Sequence, residues 1–70
     1  MIPYKPTKKT KNLFINWLAQ EYEINEAKRQ INNAKFFKNN SFIFIQYSNK
    51  VTDKIKIYKN RIIHLNPFKI

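Results

Sequence analysis

The 70-residue chain has no glycine, no cysteine, one histidine, and four acidic residues against fourteen basic ones. Without glycine it has neither a P-loop nor a dinucleotide-binding fingerprint, because both need backbone free of a Cβ. Without cysteine it has no disulfide framework and no thiolate zinc site. His64 lies within a strand pattern and has no second His or Cys with which to share a metal, so it reads as a structural or surface residue. The paired carboxylates of a hydrolase are missing as well. Glu21, Glu23 and Glu26 crowd one helix junction, where negative charge suits a helix start, and Asp53 stands alone. Ser41 and Ser48 have no His–acid partner suggested by the sequence. The expectation is therefore no enzyme, no metal, no cofactor and no small-molecule substrate. No apolar run approaches the roughly 18 residues of a spanning helix. The start, "MIPYKPTKKTKNL", has no apolar core of a secretory signal and lacks the Arg and Ser of a mitochondrial presequence.

What is present is positive charge. The formal net charge is +10, and such a field attracts a polyanion, either nucleic acid or an anionic surface. Lys outnumbers Arg twelve to two, and Asn and Ile are abundant, as AT-rich codons would give. That bias explains Lys over Arg. It does not explain the scarcity of Asp and Glu, which such codons also reach. The length allows one small domain, which buries only about 60% of its unfolded surface and has marginal stability of its own. A partner surface is then part of what holds it. Eleven aromatics and a hydrophobic fraction of 43% still make the chain globular.

Residues 1–11 read as a basic N-terminal arm, and 12–70 as a single small domain. Pro3 and Pro6 disfavour regular structure in the arm, and Lys5, Lys8, Lys9 and Lys11 suit it to ordering against phosphate. Phe14, Trp17 and Leu18 fall at helical spacing, which predicts a first helix over about 10–21 with Thr10 as its N-cap. Trp17 belongs to its core side. Asn25 is placed to cap a second helix, in which Ile24, Ala27, Ile31 and Ala34 form a narrow inward stripe. Lys28, Arg29, Asn32 and Lys35 fall off that stripe and point outward.

From residue 36 the period changes to two. "SFIFIQY" is apolar on both faces, whereas "KIKIY" sets Ile55 and Ile57 against Lys54, Lys56 and Tyr58. Turns are expected at Asn39-Asn40, over Asn49 to Asp53, and at Lys59-Asn60 before "RIIHL". The predicted fold class is α+β: two short N-terminal helices packed on a small antiparallel β-meander.

The stretch "EAKRQINNAKFFKNN" resembles the αL RNA-binding domain named after ribosomal protein S-four. That family has a helix with Ala and a basic residue, an aliphatic three further on, and Gly after another three. A hydrophobic position, a Val-Asn-Gly hairpin and a later Gly-Asp before a strand follow. The pattern falls on Ala27-Lys28, Ile31, Ala34, Phe36 and Lys38-Asn39-Asn40, and then on Thr52-Asp53 ahead of Ile55 and Ile57. The resemblance covers roughly residues 12–58. The chain departs from it in replacing every family glycine, in lacking the Arg-Leu-Asp start, and in having Glu23-Ile24 near the family's Ser-Arg.

The resemblance implies an RNA-binding protein, most simply a structural rRNA-binding component of a ribosome beside neighbouring ribosomal proteins. Its place would be an organellar (mitochondrial) small subunit or a bacterial-type cytoplasm, and it would not be secreted. Structured RNA is met through shape, 2′-hydroxyls and phosphates, which calls for a basic face and a few amides. Lys28, Arg29, Asn32, Lys35, Lys38 and Asn39 are the candidates for that face, with Lys5, Lys8, Lys9 and Lys11 extending it. Arg29 suits a forked contact to phosphate, and the lysines act as point charges. Two other partners fit the composition. One is duplex DNA, for a phage or mobile-element regulator that reads bases with Gln30 and Asn33. The other is an acidic protein bound by a basic inhibitor module.

Overall fold

The computed structural model describes residues 2–65; the expected domain end at residues 66–70 lies outside them. The elements are β1 (Ile2–Pro3), α1 (Lys8–Leu18), α2 (Ile24–Asn32), β2 (Lys35–Asn39), β3 (Phe42–Gln46), β4 (Thr52–Tyr58) and β5 (Arg61–His64). All five strands form one antiparallel sheet in the order β1-β2-β3-β4-β5, with both helices on one face. The α+β class and the meander are as the sequence predicts.

The N-terminal residues differ from the expected arm. Ile2 and Pro3 pair with Lys38 and Phe37, and the Tyr4 amide donates to the Phe36 carbonyl at 2.9 Å. Pro3 is tolerated because β1 is an edge strand, where a missing N–H breaks no interior ladder. Pro6 is buried, and α1 follows at once. Thr7, not Thr10, caps that helix: its side chain accepts the Thr10 amide at 3.2 Å. α1 therefore begins two residues and ends three residues earlier than the apolar spacing suggests. Its last turn tightens through bonds from the Gln20 and Glu21 amides to the Trp17 and Leu18 carbonyls.

Glu23, not Asn25, caps α2. One of its carboxylate oxygens accepts the amides of Asn25 at 3.1 Å and Glu26 at 3.3 Å. A negative charge at that position also meets the positive end of the helix dipole. Ala27 and Ile31 are fully buried, as the stripe requires, whereas Ile24, at 42% exposure, lies outside the core.

Turns without glycine depend on other residues entering the left-handed region. Asn40, Lys50, Lys59 and Asn60 do so, with φ of 56°, 69°, 50° and 61°. Lys59-Asn60, positive at both positions, joins β4 to β5 as a two-residue hairpin loop. The β2–β3 loop is Asn40-Ser41, one residue later than expected, because Asn39 still pairs with Phe42.

Phe14, Ile31, Ile45 and Ile55 are the largest fully buried side chains, each worth about 1.5–3 kcal/mol of burial. Phe14 on α1 stacks on Phe36 of β2 with centroids 5.6 Å apart. Ile43, Ile45 and Tyr47 join the helix-side core, with Ile57 and Ile62 packed at its margin. That parity puts Phe37, Phe42, Phe44, Lys54, Lys56, Tyr58 and Arg61 on the opposite face.

Candidate nucleic-acid interface

Charge is distributed unevenly over this fold. The four acids gather where α1 hands over to α2 and β4 begins. There Trp17, Gln20, Glu21, Gln30, Tyr47, Asp53 and His64 line a cleft of about 430 Å³. Glu23 caps the adjoining helix, and Glu26 accepts a bond from the Gln30 amide at 3.1 Å. Asp53 is shared between Tyr47, whose hydroxyl donates at 2.7 Å, and His64, whose Nε2 stands 3.2 Å from the other carboxylate oxygen. Burial first, and then the bond to Asp53, push the Tyr47 phenol well above its ordinary ionisation range. His64 lies against Trp17 with ring centroids 5.4 Å apart. This network ties α1 to β4 and β5. Among the described residues no cluster of three His, Cys, Asp or Glu side chains could hold a metal.

The lysines lie elsewhere. The chain leaves β1, crosses the edge of β2 and enters α1, and a groove of about 340 Å³ forms at that crossing. Lys5, Lys11 and Lys35 line it together with Tyr4, Pro6, Ala34 and Phe36. Among the described residues no acid lines this groove. Lys8, Lys9 and Lys11 fall in the first helical residues of α1, where no acidic residue accompanies them. Cations at a helix N-terminus oppose the dipole, so an anion docked there would relieve them.

The other candidates divide. Lys28 and Asn32 are exposed on α2. Arg29 is exposed too, but its Nε donates to Glu26 at 2.9 Å and its terminal nitrogen contacts the other oxygen of the same carboxylate. The guanidinium and the Gln30 amide hold the Glu26 carboxyl below its ordinary range, and Glu26 raises Arg29 in turn. The fork expected on phosphate is thus already engaged. Lys35 and Lys38 are three residues apart on β2, so they project to opposite faces. Lys38 shares its side with Ile43 and places its ammonium 5.6 Å from the centroid of the Tyr4 ring. The single basic face anticipated over α2 and β2 is therefore two surfaces. Asn39 is exposed at the end of β2. Gln30, the expected base reader in a DNA groove, is part-buried and bonded to Glu26.

Sequence reasoning did not find the groove, because it requires β1 to pair with β2. It also did not find the far side of the sheet, where Lys54 lies 4.4 Å over the Phe42 ring and Lys59 lies 5.4 Å over Tyr58. The two-sided apolar character of "SFIFIQY" was the available signal. Among the described residues no helix is long and apolar enough to cross a membrane. No family model, curated protein or solved structure matches the chain.

Proposed function

We propose that this is a non-catalytic RNA-binding protein, a small structural component of a ribonucleoprotein particle, with the ribosome as the expected assembly. The observation that carries the proposal is the groove lined by Lys5, Lys11 and Lys35 and by no acid among the described residues, set apart from the cleft that Glu21 and Asp53 line. Three lysines among the lining residues of an otherwise apolar groove suit a phosphodiester backbone, with its anionic oxygens and apolar sugar edges. The first turn of α1 adds Lys8 and Lys9, and Lys28 extends the footprint onto α2.

The resemblance to the αL domain supports the same reading. Asn40 has a φ of 56° where the family has the hairpin glycine, so the backbone adopts there what the family pattern demands. Ala34 stands at the family's other glycine and has no positive φ, so no glycine is required there. Two helices leading into hairpin strands is the order the resemblance implies. The detailed αL arrangement and a place in an organellar small subunit are part of the proposal.

Binding works by neutralising phosphates and fitting shape, without turnover. Engagement of six phosphates by Lys5, Lys8, Lys9, Lys11, Lys28 and Lys35 gives a log–log salt slope of about −4 to −5 for structured RNA. Removing Lys5, Lys11 and Lys35 together should flatten that slope by about two to three. An affinity that barely responds to salt refutes the proposal. Sedimentation with ribosomal subunits, lost on nuclease treatment, tests the assembly.

A further inference from the structure

We propose that the cleft at the C-terminal end of α1 receives an arginine side chain presented by a partner polypeptide. The inference stands apart from the RNA-binding reading, since the cleft and the lysine groove share no lining residue.

The cleft, of about 430 Å³, is built where three parts of the chain meet. Trp17 comes from the last turn of α1, and Glu21 and Tyr22 follow it, held by bonds from their amides to the Leu18 carbonyl. Tyr47 and Asp53 stand on either side of the β3–β4 turn, and His64 ends β5. The Tyr47 hydroxyl and His64 Nε2 each occupy one oxygen of Asp53 and fix its carboxylate, which still has acceptor positions open. The Glu21 carboxylate is exposed, and among the described residues it has no hydrogen-bond or ion-pair partner. Burial and the Asp53 bond chiefly hold the Tyr47 phenol protonated, and the nearby charge of Glu21 adds to them, so both carboxylates border one space. No Lys or Arg lines that space, although the chain has fourteen of them.

These groups select their occupant. An anion would meet two carboxylates. A neutral apolar group would cover Glu21 and Asp53 without supplying donors, at a cost in desolvation. A cation gains from both carboxylates and from the ring faces of Trp17 and Tyr22. The lysines elsewhere on the chain oppose it little, because salt screens exposed charges beyond about 8–10 Å. A guanidinium suits the cleft better than an ammonium: it is flat, stacks on aromatic faces, and carries several donors in one plane for the carboxylates beside them. The rim points to a polypeptide as its bearer. Tyr22 is 46% exposed and Val51 54%, and both line the cleft. A free small cation would leave that apolar rim in water, whereas an arginine flanked by apolar residues would cover it.

The test is titration of the whole chain at constant ionic strength, followed by the fluorescence of Trp17, its single tryptophan. The peptide acetyl-Val-Arg-Val-amide should give a saturable change, N-acetyl-arginine amide a weaker one, and N-acetyl-lysine amide a weaker one still. The uncharged acetyl-Val-citrulline-Val-amide should give none. Glu21→Gln should weaken the arginine peptide roughly two- to five-fold, and Tyr22→Leu by a similar factor. Val51→Ser should reduce the advantage of the peptide over N-acetyl-arginine amide. Thermal melts separate lost binding from lost folding, and Glu21→Gln, which breaks no contact of the fold, keeps the test open if another variant unfolds. Citrulline peptide bound as tightly as arginine peptide, or no effect of Glu21→Gln, overturns the site. Equal binding of the peptide and N-acetyl-arginine amide overturns the polypeptide partner and assigns the cleft to a small guanidinium. Absence of arginine binding beside salt-dependent RNA binding overturns this inference alone, and arginine binding beside salt-indifferent RNA affinity overturns the RNA-binding reading alone.

Discussion

Replacing Lys50 by Gly should stabilise the protein. Lys50 ends the tight turn after β3: its amide donates to the Tyr47 carbonyl at 2.8 Å, and the Tyr47 amide donates to the Val51 carbonyl at 2.9 Å. The geometry holds Lys50 at a φ of 69°. An ordinary residue in the left-handed region costs roughly 1–2 kcal/mol through its Cβ. Glycine removes that cost but returns about 0.4–1 kcal/mol by loosening the unfolded chain. The net gain is about 0.5–1 kcal/mol, and at about 4–8 °C per kcal/mol for so small a domain Tm should rise roughly 2–8 °C. Lys59 has a similar φ of 50°, but its ammonium lies 5.4 Å over Tyr58, and losing that contact of about 0.5–1 kcal/mol would mask the gain. Lys50 is therefore the cleaner site. Thermal unfolding followed by circular dichroism should rank Gly above Asn, and Asn above Ala and Lys. Lys50→Ala removes the same charge and keeps the Cβ. If it raises Tm as much as Lys50→Gly, relief of self-repulsion in a chain of net charge +10 is the cause, and the backbone argument is wrong.

Three further outcomes follow from the same contacts. Tyr47→Phe removes the donor to Asp53 and should lower stability by about 1 kcal/mol in urea unfolding; an unchanged midpoint would show that solvent already supplies that bond. Thr7→Ala deletes the α1 cap and should cost about 0.5–2 kcal/mol, with Thr7→Ser recovering most of it in the same melts. Glu26 has a carboxyl held below its ordinary range, so the stability it contributes is present above the unfolded-chain pKa and is lost as pH falls through the lower, folded value. Glu26→Gln should therefore flatten the acid limb of a stability–pH profile, and a profile identical to wild type would count against the pairing with Arg29.

The sequence made α2 legible because Ala27 and Ile31 leave one spacing only, and both are fully buried. The alternation of Ile55 and Ile57 with lysines was equally direct, and Lys59-Asn60 marked its own turn. β3 was less readable. Phe42 and Phe44 are no less apolar than Ile43 and Ile45, so periodicity gives the strand but not its inner side. The helices decide that, because Phe14 already fills the space above Phe36. Pro3 hid β1, since a proline argues against strand everywhere except at an edge, and no local pattern reveals an edge. The basic groove was hidden for the same reason: Lys5, Lys11 and Lys35 meet only after that long-range pairing. The α1 boundary failed on a choice between two threonines, where Thr7 took the cap and Thr10 became its donor.

The two-residue β1 has a consequence for how the molecule assembles. β2 to β5 join through short neighbouring turns, so their pairing closes small loops at little entropic cost. β1 must return across both helices to reach β2. It should be the last strand to dock and the first to detach, and the Tyr4 amide should lose hydrogen-exchange protection well before amides of β3. Lys5 lies two residues beyond that strand and lines the groove. A polyanion seated on Lys5, Lys11 and Lys35 would then close the latest-forming part of the fold, so that binding and the final folding step reinforce each other.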